Sequence, residues 1–379
     1  MVKLLIAQSN LSLRGGAERV VLKIAQHYKA KIYTAEYDKS GTFSEFGDLE
    51  VEVIGKPLLS KMLPYGRVMQ GLNYGMSFYN LKLKEDYDLI NSHVAPSHWI
   101  RNKNPRVLWY CHTPMREVYD LYSHRMSLRK IYKRPLYIAG AKFVRGIDSK
   151  VCKNIEFVFA NSRNTQKRLS RYLGIDNATV LGGGVEYERY YNKGDDKYFF
   201  YPSRISPNKR QEYVIRAFAE FKKAHRGYRL ILAGSVSRDR SHQDYYEKIS
   251  EMAKSVKDVQ IMDNVGDDQL LEYYSLATAV LYAPIDEDYG LVPLEAMASA
   301  KVIIAVNEGG PKETVKDFKT GFLVNSEEEM AKQMLYVVEH PSIAEDMGRA
   351  GVERVMKEYS WGRFFEEFDK GIREVLQTP

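Results

Sequence analysis

The chain has 379 residues, of which 44% are hydrophobic and 28% are charged, and its net charge of +7 divides into +14 over residues 1–194 and −7 over residues 195–379. The composition excludes a disordered chain, and the lack of any run of eighteen apolar residues excludes a membrane span. The length predicts two soluble domains. Two cysteines give no disulfide framework and indicate a reducing cytoplasm. Because the first half of the chain is basic, we expect it to meet an anionic partner.

A glycine turn follows the first predicted strand. Residues 3–8 are apolar and lead into the segment 14–19 (RGGAER), after which apolar residues recur at helical spacing. Gly15 and Gly16 let the backbone approach a phosphate closely where the helix begins. The segment lacks the Gly-x-Gly-x-x-Gly fingerprint of dinucleotide-binding proteins, which disfavours a nicotinamide-dependent dehydrogenase.

Two histidines stand at the ends of predicted strands. Beyond a predicted helical stretch over residues 57–85, one strand runs out to His93, and a second, over residues 107–111, ends in His112. In an open α/β sheet, ligands bind outside the carboxyl ends of the strands. Both histidines therefore satisfy the positional rule for a ligand site, although a single histidine is more often structural.

A basic amphipathic segment follows. Residues 101–150 carry twelve basic and three acidic side chains, and apolar and aromatic residues interleave with the cations. Such a pattern suits the surface of an anionic bilayer, with a solvated basic helix face as the alternative. Nucleic acid is a competing anion, but no zinc, RRM or KH signature supports it. The cations proposed for acceptor or membrane contact are Arg125, Arg129, Lys130, Lys133 and Arg134.

The polar segment 192–197 is predicted to link the two domains, because a new α/β unit starts directly after it. A strand over residues 198–202 leads to Arg204 and Lys209 on the first βα turn, where cations can hold a diphosphate. Gly234 and Val265 follow the next two predicted strands.

Residues 279–297 combine an apolar strand, an acidic loop and a helix start. Gly290 lies in the loop, and Pro293 suits the first turn of a helix. The unpaired N–H groups of residues 290–292 (Gly290, Leu291 and Val292) make the turn a predicted anion site. Since Glu287 and Glu295 flank it, the ligand is expected to carry both phosphate and hydroxyl groups, as a nucleotide sugar does.

Glu287 and Glu295 are separated by seven residues, and the string around them resembles the E-x7-E signature of family 4 retaining glycosyltransferases, which have the GT-B fold. The segment 14–19 is similar to the glycine loop of the same family. The resemblance implies that Arg204 and Lys209 neutralise the leaving nucleoside diphosphate. It also implies that Glu287 grips donor-sugar hydroxyls and Glu295 the ribose, while Gly234 and Val265 contact the nucleotide.

The resemblance further implies an α/β architecture of two Rossmann-like doubly wound domains that face a central cleft. The first, an acceptor-binding domain, is expected over residues 1–194 together with a C-terminal helix at about 360–379 that crosses back to it. The second, a donor-binding domain, is expected over residues 195–359.

The donor is inferred from the segment 110–116 (YCHTPMR), which resembles mannosyl-transferring members of the family. There the residue matching His112 lies beside the donor sugar, which implies GDP-mannose, with a UDP-sugar as the alternative. Two Asp-x-Asp triplets, at 86–88 and 286–288, have the pattern that binds a divalent cation in other proteins. Because Arg204 and Lys209 can supply the positive charge instead, no metal and no other cofactor is expected.

The predicted function is retaining transfer of a sugar, most simply mannose from GDP-mannose, to a lipid-linked, glycolipid or polysaccharide acceptor. The enzyme would be peripheral on the cytoplasmic face of a membrane, and nucleic acid is not an expected partner. A non-catalytic protein that binds anions or nucleic acid is the alternative of another class. A phosphorylase of the same fold would need a pyridoxal lysine, for which no motif is found.

Overall fold

The computed structural model describes residues 2–55, 67–127, 129–236, 240–263 and 265–377. The chain divides into two compact units, which we call unit 1 (Met1–Gly182 with Phe365–Pro379) and unit 2 (Gly183–Phe364). Of the helical stretch expected at 57–85, Arg67–Asn80 is helix, whereas residues 57–66 lie outside the described part of the chain.

Unit 1 contains, within its described residues, a parallel sheet of seven strands in the order β3-β2-β1-β4-β5-β6-β7. Its strands are β1 (Leu4–Gln8), β2 (Lys31–Thr34), β3 (Val51–Val53), β4 (Leu89–Ser92), β5 (Val107–Cys111), β6 (Phe157–Ala160) and β7 (Thr179–Val180). Its helices are α1 (Gly16–Tyr28), α2 (Arg67–Asn80), α3 (Tyr122–Ser127), α4 (Arg134–Cys152) and α5 (Arg163–Leu173).

Local sequence explains these elements. The apolar runs of β1 and β5 are buried along their whole length, as expected for strands covered on both faces. In α1, Val20, Val21 and Ile24 are buried at helical spacing and pack toward the sheet. Helix α5 begins at a serine cap, because the Ser162 hydroxyl accepts a hydrogen bond from the Thr165 N–H at 3.0 Å.

Unit 2 repeats the design in the order β10-β9-β8-β11-β12-β13, again all parallel within the described residues. Its strands are β8 (Tyr198–Pro202), β9 (Arg229–Ala233), β10 (Val259–Met262), β11 (Ala279–Tyr282), β12 (Val302–Val306) and β13 (Gly321–Val324). Its helices are α6 (Gln211–Phe221), α7 (Arg240–Ser255), α8 (Asp267–Leu276), α9 (Leu291–Ala298), α10 (Pro311–Thr314), α11 (Glu327–Glu339) and α12 (Pro341–Glu358). The prediction of two doubly wound α/β units is therefore confirmed.

Each sheet has one point at which the strand order reverses. It lies between β1 and β4 in unit 1 and between β8 and β11 in unit 2. At such a point the loops after the two central strands diverge to opposite faces and leave a crevice at the carboxyl edge of the sheet. The predicted site residues that follow β1, β8 and β11 are accordingly placed at these two edges.

The segment 192–197 is packed onto unit 2 rather than forming a free linker. The Lys193 and Asp196 N–H groups donate to the carbonyls of Ser275 and Leu276, each at 2.9 Å. The ammonium group of Lys301 donates to Asn192 Oδ1 at 2.8 Å and to the carbonyl of Gly194 at 2.6 Å. Since its own oxygens satisfy a buried lysine of unit 2, the segment belongs to that unit.

The last helix, α13 (Trp361–Gln377), begins in unit 2, and from Phe365 onward it belongs to unit 1. There the Phe368 ring stacks on Phe159 of β6 with centroids 5.7 Å apart, and Phe365 stacks on His27 at 3.8 Å. The crossing back predicted for the C-terminal helix is thus confirmed. In the described parts of the chain, no helix is both long enough and apolar enough to cross a bilayer.

Replacing Phe368 by alanine removes a fully buried ring from the seam between α13 and β6. Such a truncation costs about 3–5 kcal/mol, so we expect a loss of this size in the free energy of unfolding of unit 1. Urea titration in a Trp361→Phe background, where the remaining tryptophans Trp99 and Trp109 report unit 1, measures it. The exposed neighbour Lys370→Ala is the control, and equal midpoints for the two variants would contradict the packing described.

Candidate functional site

The carboxyl edge of the unit 2 sheet collects the residues predicted to bind a diphosphate. Arg204 and Lys209 follow β8, Gly234 follows β9, and Glu287 follows β11, the strand that pairs with β8 across the switch point. Because all these strands are parallel, their exit loops lie at the same edge.

An ion pair joins the two central loops. Lys209 Nζ lies 2.5 Å from Glu287 Oε2, and the two side chains are 16% and 26% exposed. Below the pair, Tyr282 of β11 is buried, with its ring centroid 5.8 Å from Lys209 Nζ. Burial, with the Glu287 carboxylate beside it, raises the pKa of Tyr282 well above its usual value. The tyrosine therefore stays neutral beneath the ion pair.

Arg210, which the sequence analysis did not single out, fastens the acidic loop. Its Nε donates to the carbonyl of Ala283 at 2.6 Å, and its Nη2 donates to that of Pro284 at 3.1 Å. Both terminal nitrogens also reach Glu308 Oε1 at 3.0 Å. The only sequence signal was its position directly after Lys209. Glu308, just before the Gly-Gly turn that follows β12, gave no signal of its own.

Two glycines let this loop pack tightly. Gly309 has a φ of +56°, and a Cβ there would lie 2.3 Å from the carbonyl oxygen of Glu287. The N–H of Gly310 donates to that same oxygen at 2.8 Å. Gly309 and Gly310, which follow β12, therefore pack against the backbone that carries Glu287 and donate a hydrogen bond to it.

Helix α9 begins directly after the acidic loop. Gly290, at a φ of +83°, precedes its first turn, and no acidic residue occupies that turn. The N–H groups of residues 290–292 thus lie where the helix dipole favours an anion. One turn on, Glu295 accepts a hydrogen bond from the hydroxyl of Tyr274 at 2.6 Å, which orients its carboxylate.

Gly234 allows the β8 and β9 exit loops to touch. A Cβ at this position, whose φ is +158°, would lie 2.0 Å from the Ser203 carbonyl oxygen and 3.0 Å from the Arg204 nitrogen. The side chain of Arg204 is exposed, and its carbonyl accepts from Gln211 Nε2 at 3.0 Å. Val265, which follows β10, is half-buried.

In unit 1, the glycine turn lies at the start of α1. Gly15 caps the helix, and a Cβ there would lie 2.6 Å from Glu18 Oε2. Because the Glu18 carboxylate stands in the first turn, it already meets the positive end of the helix dipole. The attraction for a phosphate predicted at Gly15 and Gly16 is therefore weaker than at α9.

His112 also lies in unit 1, just past β5. Its Nε2 is 3.1 Å from Nδ1 of His93, whose own Nε2 is 2.6 Å from Asn91 Oδ1. Burial lowers the pKa of His112 to about 3 and that of His93 well below its usual value. Both imidazoles are therefore neutral at pH 7.

The basic segment separates into two parts. Arg125 Nε lies 2.8 Å from Glu117 Oε2, the Arg129 guanidinium lies 3.8 Å from the Tyr137 ring centroid, and Arg134 Nε donates to the Arg129 carbonyl at 3.2 Å. These three cations are engaged by a carboxylate, an aromatic ring and a backbone carbonyl of unit 1. Lys130 and Lys133, by contrast, are exposed beside exposed apolar side chains.

The two Asp-x-Asp triplets differ in position. The first, at 86–88, precedes β4 and so lies at the amino edge of the unit 1 sheet, where Asp88 accepts from the Lys3 N–H at 2.7 Å. The second contributes Glu287 to the site. Across the described residues, no group of three or more His, Cys, Asp or Glu side chains could hold a metal ion.

Two known protein families match this chain. Residues 186–354 match the family described as Glycosyl transferases group 1, and residues 14–189 match Glycosyltransferase Family 4. The chain is similar to alpha-1,3/1,6-mannosyltransferase ALG2 of Mus musculus, with 27% identity over 96% of this chain and 94% of the relative. The enzyme of the same name from Kluyveromyces lactis shows 28% identity over 80% of this chain and 69% of the relative.

Solved structures give the same fold. Anabaena HepE in complex with UDP and glucose has a TM-score of 0.76 and 16% identity, over 98% of this chain and 100% of that chain. Sucrose-phosphate synthase from Thermosynechococcus elongatus has a TM-score of 0.77 and 17% identity, over all of both chains. These matches show that this chain has the GT-B fold.

Replacing Gly309 by alanine forces a side chain into left-handed backbone and against the Glu287 carbonyl. The backbone conformation alone costs about 1–2 kcal/mol, so we expect at least that loss in the free energy of unfolding of unit 2. Urea titration followed by Trp361, with Trp99 and Trp109 changed to phenylalanine, measures it. Gly227→Ala, where a Cβ meets nothing within 4 Å, is the matched control. A Gly309→Ala midpoint equal to that of the control would contradict the close approach.

Proposed function

This chain belongs to the family 4 glycosyltransferases and has their GT-B fold, and we propose that it transfers mannose from GDP-mannose to a lipid-linked, glycolipid or polysaccharide acceptor with retention at the anomeric carbon. The observation that carries the proposal is the Lys209–Glu287 pair at the switch point of unit 2. A cation for a diphosphate and a carboxylate for sugar hydroxyls stand side by side there. A nucleotide sugar carries its diphosphate next to the hydroxyl groups of its sugar, so it needs the cation and the carboxylate close together.

The leaving group determines what the site must do. As the bond from the anomeric carbon to the phosphate oxygen breaks, negative charge grows on the diphosphate. Lys209, Arg204 and the N–H groups at the start of α9 are groups that stabilise such charge. Of these, Lys209 is held in place before the reaction by its ion pair with Glu287, and the N–H groups are held by the helix backbone. Arg210 contributes by fixing the loop that carries Glu287.

The donor's hydroxyl groups are assigned to the two glutamates. Glu287 would accept hydrogen bonds from the sugar, and Glu295, oriented by Tyr274, from the ribose. Double displacement would require a carboxylate nucleophile, but Glu287 already accepts the Lys209 ammonium at 2.5 Å, which lowers its nucleophilicity. Attack from the same face, with the leaving phosphate taking the proton of the acceptor hydroxyl, therefore agrees better with this arrangement.

Mannose is favoured by the names of the relatives, which are alpha-1,3/1,6-mannosyltransferases, and by the segment around His112. A UDP-sugar is the alternative, because solved neighbours of this fold hold UDP. Since Arg204 and Lys209 supply positive charge for the diphosphate, the proposal includes no metal ion.

Association with a membrane is proposed from one patch of unit 1, the docking patch, which consists of Lys130, Ile131, Tyr132, Lys133, Leu136 and Phe143. Ile131 is 79% and Tyr132 71% exposed. Tyr132, Leu136 and Phe143 are spaced four and seven residues apart, which places them on one side of α4 and the turn before it. Apolar side chains flanked by lysines fit an anionic bilayer surface. The free, buried Cys111 and Cys152 fit its cytoplasmic face.

Donor binding is tested by thermal shift with GDP, GDP-mannose, UDP and UDP-sugars, with and without EDTA. A donor at a hundred times its Kd adds about 2.7 kcal/mol of stability, so GDP-mannose should raise the melting temperature with or without EDTA.

Lys209→Ala and Glu287→Ala should each lower kcat about 10²–10³-fold, because each removes a group that contacts the departing or transferred part of the donor. The control is Lys223→Ala, an exposed lysine paired with Glu220.

A response to UDP-sugars alone would replace mannose by another sugar. Near-normal turnover of both the Lys209 and Glu287 variants would refute the site.

Membrane docking is tested by sedimentation with liposomes that contain anionic lipid. Each lysine near the surface contributes about 1 kcal/mol, so Lys130→Ala with Lys133→Ala should weaken partitioning roughly 30-fold. The control carries the same charge change at two exposed lysines of unit 2, Lys316→Ala with Lys319→Ala. If the control loses as much binding as the patch variant, or if the unaltered protein stays in the supernatant at physiological salt, the docking patch is wrong.

A further inference from the structure

A chain of three side chains lies at the carboxyl edge of the unit 1 sheet. It runs from Asn91 in β4 through His93, at the end of that strand, to His112, which follows β5. Asn91 and His93 are fully buried, whereas His112 is half-buried. The family resemblance gives a role to His112 alone, so the two residues behind it require their own explanation.

The direction of the hydrogen bonds is determined at Asn91. Its Nδ2 donates to the backbone carbonyl of Leu108, the residue paired with Asn91 in the sheet, at 3.1 Å. A carbonyl only accepts, so the amide nitrogen faces Leu108 and the oxygen Oδ1 faces His93. The Nε2 of His93, 2.6 Å from that oxygen, must therefore carry a proton.

The same reasoning passes to the next ring. A neutral imidazole has one N–H and one lone pair, so protonation at Nε2 leaves Nδ1 of His93 as an acceptor. His112 Nε2, at 3.1 Å, then supplies the hydrogen. The backbone of His93 is fixed as well, because the Trp109 indole donates to its carbonyl at 3.0 Å and its backbone N–H donates to the Ala7 carbonyl at 3.0 Å.

One nitrogen of His112 remains. With its hydrogen on Nε2, its Nδ1 is a lone-pair acceptor, and within the described chain no hydrogen bond reaches that atom. We propose that Asn91 and His93 are positioning residues that hold His112 in the Nε2–H tautomer, so that Nδ1 accepts a hydrogen bond from a hydroxyl of the donor sugar. The hydrogen bond from the donor sugar, which we call the sugar half of this inference, rests on the proposed function. The Nε2–H tautomer of His112, the tautomer half, does not.

This arrangement differs from the charged pair of unit 2 in what it selects. A neutral acceptor attracts a hydroxyl donor but not the diphosphate, so it acts on the sugar and leaves the nucleotide unaffected. Losing one such hydrogen bond weakens binding by about tenfold at most. The effect should therefore be seen in the affinity for GDP-mannose and be absent from that for GDP.

The tautomer is measured on the ligand-free protein. Histidine is labelled with 15N, and the nitrogen chemical shifts of His93 and His112, assigned by substitution, distinguish protonated from unprotonated ring nitrogens. We expect both rings to be neutral at pH 7 with the proton on Nε2. A proton on Nδ1 of His112, or a doubly protonated His112, would overturn the inference whatever the donor is.

The consequence is measured with two variants of His93, after thermal unfolding has shown that each is folded. His93→Leu removes the acceptor for His112 and should weaken GDP-mannose binding about tenfold while leaving GDP binding unchanged. His93→Asn places an oxygen where Nδ1 was and should restore most of the loss. An equal loss for both ligands would indicate a merely structural role, and no loss for either would also refute the inference.

Failure of the proposed function gives a different result. If the unaltered protein bound neither GDP-mannose nor GDP, the donor assignment would fall together with the sugar half of the inference. The 15N shifts would still decide whether Asn91 and His93 fix the tautomer of His112.

Discussion

The ion pair between Lys209 and Glu287 is the interaction on which the candidate site depends. It spans the two central strands of unit 2 at the point where the strand order reverses, and the proposed function assigns its two charges to a sugar diphosphate. The pair is placed by neutral and charged groups around it. Tyr282 lies beneath it, Arg210 fastens the acidic loop, and Gly309 allows that loop to approach the next turn.

The two units solve the problem of positioning a polar group differently. In unit 2, charged groups remain partly exposed and are held by other charges, as in the contact of Arg210 with Glu308. In unit 1, the polar chain from Asn91 to His112 is neutral, because burial disfavours the imidazolium form. A buried neutral chain preserves direction, since each donor faces one acceptor. A partly exposed ion pair preserves charge, which the proposed function assigns to stabilising a departing diphosphate.

The basic segment shows why counting charge is not enough. Five cations were proposed there from the sequence, but Arg125, Arg129 and Arg134 are engaged by a carboxylate, an aromatic ring and a carbonyl of the same unit. The planar guanidinium group suits such contacts, whereas the lysines stay hydrated on the surface. Lys130 and Lys133 thus form the outward charge, and the exposed Ile131 and Tyr132 between them give the patch its amphipathic character.

The doubly wound class was implied by the resemblance to a known family, whereas the sequence by itself determined the strands before the site residues and the strand ends at which Arg204, Lys209, Glu287 and His112 lie. These follow from apolar runs, glycine turns and strand ends, all of which are local in the chain. Only the tertiary structure decided which of these residues meet and what holds them. Glu308 is 98 residues from Arg210, and His93 is 19 residues from His112. Local patterns carry no information about such pairs, because the contact is created when parallel strands bring distant exit loops to one edge.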